Sequence, residues 1–548
     1  MDIRSDAVLW YLEDLWYQMV AESGNPSDRY HLGKVILRRF KEDPNFLLQI
    51  DGANDERDTF GSMMLKSIRC AESFRRLGIK RGDVIVLMAP NSLDLTAPLY
   101  AAFYLGIAVA CIDMNLLKAE IKQIFNDTKP KFVFCLASKA PDVQDVMTSL
   151  NVNGHIVTFG KDKNFNTFSE FLDTYCLDTN TDEFQVEEFD PVETEAILIS
   201  TSGTTGLPKV ATLTHKNCTI GFLYFWSMLK EFPAPDVFPI IISPVQWLSA
   251  HIHLIYSPIL KYTRLQTSMP VTPDHVYDLI NKYRPTSILS SPTFMVNLLT
   301  PGKRDKCDFS SFKWIFIGGS AVFEELIDLI KVSNNETYLS YYCIFSIYKG
   351  YGLSESTGLC LDLNGVYQKS SGKPYGHLQK SISLLLYCEV NNSIICHLYF
   401  QGYWNKPKET KEALTSDGWL RTGDLFYRDE NYNFYFVDRL KLLLKYKNNQ
   451  ISPTEIENVI CGYPGVLDVA VTSIPDLQCG DLPVACVKTL KGTQVSAQEI
   501  KDLVKANLTD TKQLRGGVLF LQDFPITPTG KINRKLLKQI VAESNDIL

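Results

Sequence analysis

The chain has 548 residues, a formal net charge of −7, 45% hydrophobic residues and 21% charged residues. This length exceeds what one hydrophobic core normally supports, so the sequence predicts two or more domains. The composition is typical of a globular protein, and the acidic balance gives no indication of nucleic-acid binding.

The first part of the chain alternates helical and strand patterns. An amphipathic pattern predicts a helix over 60–79, and a continuous apolar run predicts a buried strand over 84–88. Helix–strand pairs are predicted over 93–112 and 118–136. The apolar stretch 97–112 is short for a bilayer span, so we predict a buried helix followed by a strand and no transmembrane segment.

A run rich in serine, threonine and glycine follows a short apolar strand predicted over 196–199. The run 201–209 reads Thr-Ser-Gly-Thr-Thr-Gly-Leu-Pro-Lys. Its glycines let the backbone bend, its hydroxyls and free N–H groups suit phosphate oxygens, and Lys209 adds a compact positive charge. It is not a Walker loop, which needs Gly-Lys-Ser/Thr in sequence. Such runs are usually plain loops, so the interpretation as a phosphate cradle depends on the rest of the chain.

Helix–strand patterns resume over 276–291 and 312–331, where an apolar strand at 314–317 leads into Gly318 and Gly319. This alternation predicts a parallel sheet with helices on its faces, and ligands bind at the ends of such strands. Near residue 438 the pattern changes to a compact α+β arrangement. The later elements are predicted as helices over 456–461 and 498–508 and strands over 466–474, 484–490 and 518–521.

Five further polar segments carry residues suited to nucleotide chemistry. They are Gly-Tyr-Gly-Leu-Ser-Glu at 350–355, a segment at 417–424 ending in Asp424, Asp438-Arg439, a basic loop at 445–450, and Pro-Thr-Gly-Lys at 528–531. Taken singly, each is more often a turn or a solvated surface than a functional site.

Taken together, in this order and spacing, the motifs resemble the adenylate-forming superfamily, in particular acyl-CoA synthetases, 4-coumarate–CoA ligases and beetle luciferases. The resemblance implies an α/β fold in which a large N-terminal domain of layered α/β subdomains and a small β-subdomain precedes a small, mobile α+β C-terminal domain. We place the AMP-binding N-terminal domain at 1–438 and the C-terminal domain at 439–548.

The resemblance also implies an enzyme, an AMP-forming acid–thiol ligase with ATP, Mg²⁺ and coenzyme A as cosubstrates or cofactors. A carboxylate attacks the α-phosphate of ATP to give an acyl-adenylate and pyrophosphate, and a thiol then displaces AMP. Lys531, Ser354, Lys209 and His215 are the implied catalytic residues, and Glu355 and Thr204 are the implied metal ligands. The implied nucleotide- and coenzyme-binding set is Thr201, Ser202, Gly203, Thr204, Thr205, Gly206, Lys209, Gly318, Gly319, Ser320, Gly350, Tyr351, Gly352, Ser354, Asp424, Arg439, Lys445, Gln450 and Lys531.

Within this set, the resemblance implies that Tyr351 stacks on adenine, that Asp424 and Arg439 hold the ribose, and that Lys531 bridges the carboxylate and the α-phosphate. The C-terminal domain would rotate about a hinge near 439–441. One pose brings Lys531 into the site, and the other replaces it with the 445–450 loop, which lines the thiol channel.

The acyl pocket is assigned by resemblance to Trp247, Ala250 and Gly319, which favours an apolar acid, with a fatty acid as the expected substrate. Beetle luciferases carry an arginine six residues beyond the histidine that His215 matches, and Gly221 occupies that position here. Luciferase-type oxygenation is therefore ranked below ligation. The residues leave two further functions open: a catalytically impaired relative that only binds nucleotide or acyl ligands, and a domain that loads a carrier protein, although no carrier motif is visible.

The chain departs from the family pattern at several places. Val210 stands where a glycine is usual, Asn448 replaces the glycine of the channel loop, segment 333–348 is longer and more aromatic, and segment 381–402 is shorter. If the protein had lost its activity, random sequence drift would not selectively spare the charged residues of the site. Their presence therefore argues against loss of activity.

Thirteen cysteines form no CxxC pair and no cysteine–histidine cluster with metal spacing, which predicts reduced thiols and an intracellular protein. The N-terminus lacks the features of a signal peptide. The family is often peroxisomal, but the C-terminus is not Ser-Lys-Leu, so we expect a cytoplasmic location. The expected partners are a small carboxylic acid, ATP and CoA, with no nucleic acid, and the expected oligomeric state is a monomer or homodimer.

Overall fold

The computed structural model describes residues 7–176, 180–201, 209–226, 237–300, 302–319, 322, 326–327, 329–330, 346–362, 373–374, 393–396, 401–416, 420–430, 433–440, 442–446, 449–476, 479–508, 510–527 and 531–548. It shows a mixed α/β protein with a large N-terminal part and a small C-terminal part. The α-helices are α1 Ala7–Ser23, α2 Leu32–Glu42, α3 Phe60–Arg76, α4 Thr96–Leu105, α5 Lys118–Thr128, α6 Ala140–Ser149, α7 Phe168–Tyr175, α8 His215–Trp226, α9 Leu248–Leu260, α10 Pro273–Tyr283, α11 Pro292–Leu298, α12 Pro407–Ala413, α13 Pro453–Cys461, α14 Ala497–Asn507 and α15 Arg534–Glu543.

The strands are numbered in chain order. They are β1 Leu47–Asp51, β2 Arg57–Thr59, β3 Val84–Met88, β4 Ala108–Cys111, β5 Phe132–Leu136, β6 His155–Phe159, β7 Asn166–Thr167, β8 Glu195–Thr201, β9 Lys209–Thr214, β10 Pro239–Ile240, β11 Arg264–Gln266, β12 Ser287–Ser290, β13 Trp314–Gly318, β14 Ser346–Leu353, β15 Gly358–Asp362, β16 Lys373–Pro374, β17 Ser393–Cys396, β18 Gly402–Tyr403, β19 Leu420–Arg428, β20 Phe434–Arg439, β21 Leu444–Tyr446, β22 Asn449–Ile451, β23 Val466–Asp476, β24 Gly480–Thr489 and β25 Gly517–Phe520.

Two large sheets form the N-terminal part. The first sheet has the order β18-β9-β8-β4-β3-β5-β6-β7, and the strands from β8 to β7 run parallel. The second sheet has the order β16-β15-β14-β13-β12-β10-β11-β1-β2, with β1 and the strands from β11 to β14 parallel. The parallel strand arrangement predicted from the helix–strand alternation is therefore confirmed, and each sheet also carries antiparallel strands at its edges.

Two smaller sheets complete the described architecture. The small sheet, β17-β19-β20, is antiparallel and supplies two strands to the candidate site. The C-terminal sheet pairs β22, β21, β24 and β23, with β25 parallel to β24. Strand β20 continues to Arg439 and the C-terminal sheet begins at Leu444, so residues 440–443 link the two parts.

Local sequence explains the element boundaries around the first sheet. The Thr59 side chain caps α3 by accepting from the Ser62 N–H, as N-cap threonines do. Every residue of β3 is buried, which matches its unbroken apolar run. At the end of α4, Gly106 adopts φ +65°, and a Cβ there would lie 2.9 Å from the Phe189 ring, so both the turn and the packing require glycine.

The main core lies between the first sheet and helices α2, α3, α4 and α9. Arg264 of β11 is fully buried beside it and is satisfied by neutral acceptors. Its guanidinium donates to Gln49 Oε1 at 2.6 Å and to Tyr100 OH at 3.3 Å, which joins the second sheet to α4. A buried charge is tolerated only with such a complete set of hydrogen bonds.

In the part of the chain that the structure describes, no helix is long and apolar enough to cross a membrane. The predicted apolar stretch 97–112 contains most of α4 and all of β4, both buried. The prediction of a buried helix followed by a strand is confirmed.

Candidate active site

Three polar residues meet where the second sheet contacts the small sheet. Tyr351 of β14 donates its hydroxyl to Asp424 Oδ2 at 2.7 Å. Arg439 stands directly opposite Asp424 in the β19–β20 ladder, with its Nε 3.0 Å from Asp424 Oδ1. The motif resemblance predicts these residues together in a nucleotide site, and the structure brings them into contact.

The Asp424 carboxylate is 1% exposed, and burial raises its pKa although Arg439, Tyr351 and Lys531 favour the charged form. Its Oδ1 atom lies close to Arg439 but has no aligned hydrogen bond among the described residues. A buried carboxylate oxygen with spare acceptor capacity suits a hydroxyl donor such as a ribose. The Tyr351 ring packs edge-on against Phe426, with 4.8 Å between centroids.

Glu355 lies in a short 3₁₀ turn, Ser354–Ser356, directly after β14. Its Oε1 accepts from the Tyr403 hydroxyl at 2.9 Å. Tyr403 sits on β18, which pairs with β9, and the Lys209 Nζ lies 4.9 Å from the centre of the Tyr403 ring. Burial and the neighbouring Glu355 raise the pKa of Tyr403, so the phenol stays a proton donor. Tyr403 therefore joins the predicted phosphate lysine to the predicted metal carboxylate.

The ends of the predicted phosphate loop are held by β8 and β9. Thr201 pairs with Lys209 in the ladder and donates its hydroxyl to the Lys209 carbonyl at 3.2 Å. Val210 follows as a buried residue of β9, where extended backbone suits a β-branched side chain. The predicted loop residues Ser202, Gly203, Thr204, Thr205 and Gly206 lie outside the described residues.

Lys531 comes from the C-terminal part of the chain. Its backbone is held by Thr527, whose N–H donates to the Lys531 carbonyl at 2.7 Å and whose hydroxyl accepts from the Lys531 N–H. Burial and the nearby Arg439 lower the pKa of Lys531 to about 8, while Asp424 and Glu355 favour its charged form.

Two glycines of the predicted nucleotide-binding set lie at and directly after the end of β13. Gly318 pairs with Gly350, and a Cβ on Gly318 would meet the Gly350 carbonyl oxygen at 3.0 Å. Gly319 adopts φ +91°, a conformation that favours glycine, and a Cβ there would meet no atom of the described residues within 4 Å. Gly352 and Ser354 follow on β14 and the 3₁₀ turn, and Ser320 lies outside the described residues.

The predicted catalytic residue His215 lies in a different environment. It begins α8 and is fully buried, with its ring against His31, Phe103 and Phe189. Burial lowers its pKa, and neither ring nitrogen has a hydrogen-bond partner among the described residues. None of these three neighbours is a predicted site residue, so the environment of His215 resembles a core position. The catalytic role of His215 stays a prediction.

Trp247 and Ala250 stand at the start of α9, where Trp247 is partly buried and Ala250 is buried. Lys445 is exposed on β21 and pairs with Gln450 of β22, in the C-terminal sheet. These positions belong to other elements than those that hold the Asp424 carboxylate. The pocket and thiol-channel assignments stay predictions, and Asn448 lies outside the described residues.

The structure adds Tyr403 to the site, a residue that the sequence did not indicate. Tyr403 occurs in no recognised motif, and a single tyrosine gives no signal of its own. It reaches Glu355 because the two-residue strand β18 pairs with β9.

Comparisons with known proteins identify the family of the chain. The profile of the AMP-binding enzyme family matches residues 37–383, and that of the AMP-binding enzyme C-terminal domain matches residues 455–531. The chain is similar to a luciferin 4-monooxygenase of Photuris pensylvanica, with 29% identity over 92% of this chain and 93% of that protein. It is also similar to 4-coumarate–CoA ligase 4 of Arabidopsis thaliana, with 27% identity over 89% of this chain and 87% of the other.

Among solved structures, the chain resembles ATP-bound MatB from Rhodopseudomonas palustris. The TM-score is 0.79 at 19% identity, covering 93% of this chain and 99% of that one. At this identity the likeness establishes the fold.

Proposed function

Because the chain belongs to the AMP-binding enzyme family, we propose that it is an AMP-forming acid–thiol ligase, which activates an apolar carboxylic acid with ATP and passes the acyl group to coenzyme A. One observation carries the proposal. The buried Asp424 carboxylate accepts from the Tyr351 hydroxyl at 2.7 Å and lies 3.0 Å from Arg439 Nε, which brings residues of three separate motifs together in one site.

The nucleotide end of the proposed site is Asp424, Tyr351 and Arg439. The Oδ1 atom of Asp424 is an acceptor for a ribose hydroxyl, and Tyr351 and Arg439 fix the carboxylate that receives it. The arrangement positions the nucleotide without taking part in bond making, which is the main contribution of proteins to phosphoryl chemistry.

The phosphate end is formed by Glu355, Lys209 and Lys531. The described residues contain no group of three or more acidic, cysteine or histidine side chains able to hold a metal. A single carboxylate such as Glu355 nevertheless fits Mg²⁺, which binds through one or two carboxylates together with substrate phosphates. Bound there, Mg²⁺ would neutralise phosphate charge.

In the first half-reaction, a substrate carboxylate oxygen forms a bond to the α-phosphorus, and the bond to the pyrophosphate oxygen breaks. Lys531 faces the negative charge that develops on the transferring group. With a pKa of about 8, the side chain is mostly protonated at neutral pH and can make this contact as a cation. In the second half-reaction, a thiolate attacks the acyl carbon and AMP leaves with the bonding electrons.

We rank light emission below ligation because Gly221 takes the place of a luciferase arginine. Beetle luciferases carry an arginine at this position, whereas a Cβ at Gly221 would lie 1.8 Å from Thr357 Oγ1. Thr357 is 1% exposed and follows the Ser354–Ser356 turn with φ +57°. A longer side chain at 221 would have to displace this turn and with it Glu355.

The proposed substrate class is based on the resemblance of Trp247, Ala250 and Gly319 to the residues of an acyl pocket. Trp247 supplies a flat apolar wall at the start of α9, and most of the helix that follows is buried. We propose a medium- or long-chain fatty acid as the first class to test.

The test is carboxylate-dependent exchange of labelled pyrophosphate into ATP, measured with acids of increasing chain length, followed by detection of the CoA thioester. The proposal expects exchange that rises with an apolar acid and a thioester when CoA is added. Exchange without thioester would indicate a different acceptor. No exchange with any acid would favour a binding-only protein.

A further inference from the structure

The Asp438 carboxylate connects the two parts of the chain next to the candidate site. Asp438 lies on β20 of the small sheet and is 2% exposed. Its Oδ2 accepts from the Ser452 hydroxyl at 2.7 Å and from the Thr454 N–H at 3.1 Å. Both donors stand at the start of α13, which packs on the C-terminal sheet.

These hydrogen bonds suit the start of a helix. Ser452 is the N-cap of α13, and its oxygen also accepts from the Glu455 N–H. A carboxylate at this end interacts favourably with the free N–H groups and the helix dipole. Hydrogen bonds to a charged, buried acceptor are stronger than neutral ones, so Asp438 holds α13 firmly.

Helix α13 in turn holds the segment that carries Lys531. Glu457, one turn after Thr454, is 3% exposed, and its Oε1 accepts from Arg534 Nη2 at 2.8 Å and from the Val471 N–H at 2.7 Å. Arg534 Nη1 also donates to the Val471 carbonyl at 2.8 Å. Arg534 opens α15 only three residues after Lys531, so its position fixes the base of the segment that carries Lys531.

On the other side, Asp438 is the neighbour of Arg439. Its Oδ1 accepts from the Arg439 N–H at 2.7 Å, and the Arg439 side chain pairs with Asp424. A continuous series of contacts therefore runs from the Asp424 carboxylate through Asp438 and α13 to the segment of Lys531. In the chain, linker residues 440–443 connect Asp438 and Arg439 of β20 to the C-terminal sheet.

We propose that Asp438 is a positioning residue that locks the C-terminal domain in the pose with Lys531 in the site, and that its bonds to α13 break when the domain turns for thioester formation. The proposal depends on the proposed ligase function, because only a two-step reaction needs two poses. Asp438 then supports the first half-reaction and is dispensable for the second.

The experiment compares D438N with wild type in the two half-reactions, using the acid that supports the fastest exchange. We expect the kcat of pyrophosphate exchange to fall at least about tenfold, because charged hydrogen bonds of this kind are each worth roughly that factor. Thioester formation from supplied acyl-adenylate and CoA should stay within about twofold of wild type. Hydrogen exchange at the start of α13 should rise, since the Thr454 N–H loses its charged acceptor.

Two control variants separate the lock from general damage. D429N changes another hydrogen-bonded carboxylate of the same β-hairpin, at the turn where Asp429 accepts from Asn433 and Tyr435. S496A removes the N-cap side chain of α14, a neighbouring helix of the C-terminal part. Both variants should keep both half-reactions within about twofold. If D438N does not fold, S452A removes one of the lock's hydrogen bonds and should shift the half-reactions in the same direction.

Three outcomes would overturn the inference. Equal losses in both half-reactions would show general damage, and no loss in either would show that the lock is dispensable. A rise in the KM for ATP at constant kcat would show that Asp438 acts only through Arg439 on the nucleotide. Absence of exchange in the wild-type protein would instead refute the proposed function.

Discussion

Alkaline pH should switch off adenylation by removing the charge of Lys531. Burial and Arg439 lower the pKa of this lysine to about 8, well below its ordinary value of 10.5. If the ammonium form is the active one, the protonated fraction falls from about 0.9 at pH 7 to about 0.1 at pH 9. The kcat/KM for ATP should therefore drop by roughly tenfold over these two pH units.

The assay is acid-dependent pyrophosphate exchange measured as a function of pH and ATP concentration. The kcat/KM for ATP reports the free enzyme, so its alkaline limb should have an apparent pKa of about 8. In the pH profile of kcat, the alkaline limb should move to higher pH, because bound phosphates add negative charge next to the Lys531 ammonium group.

Lys531→Arg is the matched variant, because a guanidinium stays protonated throughout this range. Its exchange rate should be lower than that of wild type but lack the alkaline limb. A wild-type kcat/KM that stays level to about pH 10, or a limb that persists unchanged in Lys531→Arg, would refute the reasoning.

Three further predictions test the surroundings of the site. Tyr351→Phe removes a hydrogen bond to the buried Asp424, and we expect the KM for ATP to rise about tenfold; an unchanged KM would contradict this role. Gly221→Ala forces a Cβ against Thr357, so the free energy of unfolding should fall by about 1–3 kcal/mol in denaturant titrations, with reduced exchange; no change in either would show that the turn adapts freely. His215→Phe should keep exchange and stabilise the fold more at pH 5.5 than at pH 7.5, by about 1.4 kcal/mol. Burial lowers the pKa of His215, so its neutral form is stabilising above the unfolded pKa and this is lost as pH falls; loss of exchange would instead support a catalytic histidine.

Many of the helices and strands could be predicted from the local pattern of apolar and polar residues. Strand β3 coincides with the predicted 84–88 because a run of buried apolar residues is visible without knowledge of its neighbours. In the C-terminal part, the predicted strand over 466–474 is confirmed within β23, Val466–Asp476. The predicted helix over 498–508 corresponds to α14, Ala497–Asn507, which begins at the Ser496–Glu499 capping box.

The contacts that assemble the site could not be predicted in the same way. Tyr403 donates a hydrogen bond to Glu355, which lies 48 residues earlier in the chain. This contact depends on the pairing of the short strand β18 with β9. The Asp438 bonds to Ser452 and Thr454 depend on how α13 packs against the small sheet. Motif order identified Asp424, Arg439 and Lys531 as a set, but only the tertiary arrangement shows which neighbours hold each charge.

The most direct test of the account compares Lys531→Ala with wild type in the separate half-reactions. The account predicts that acid-dependent pyrophosphate exchange falls by about 100-fold or more, since the cation facing the transferring adenylyl group is lost. Thioester formation from supplied acyl-adenylate should be largely retained. Equal loss of both half-reactions, or exchange that survives without the lysine, would contradict the convergence of Lys531, Asp424 and Glu355 on one ATP.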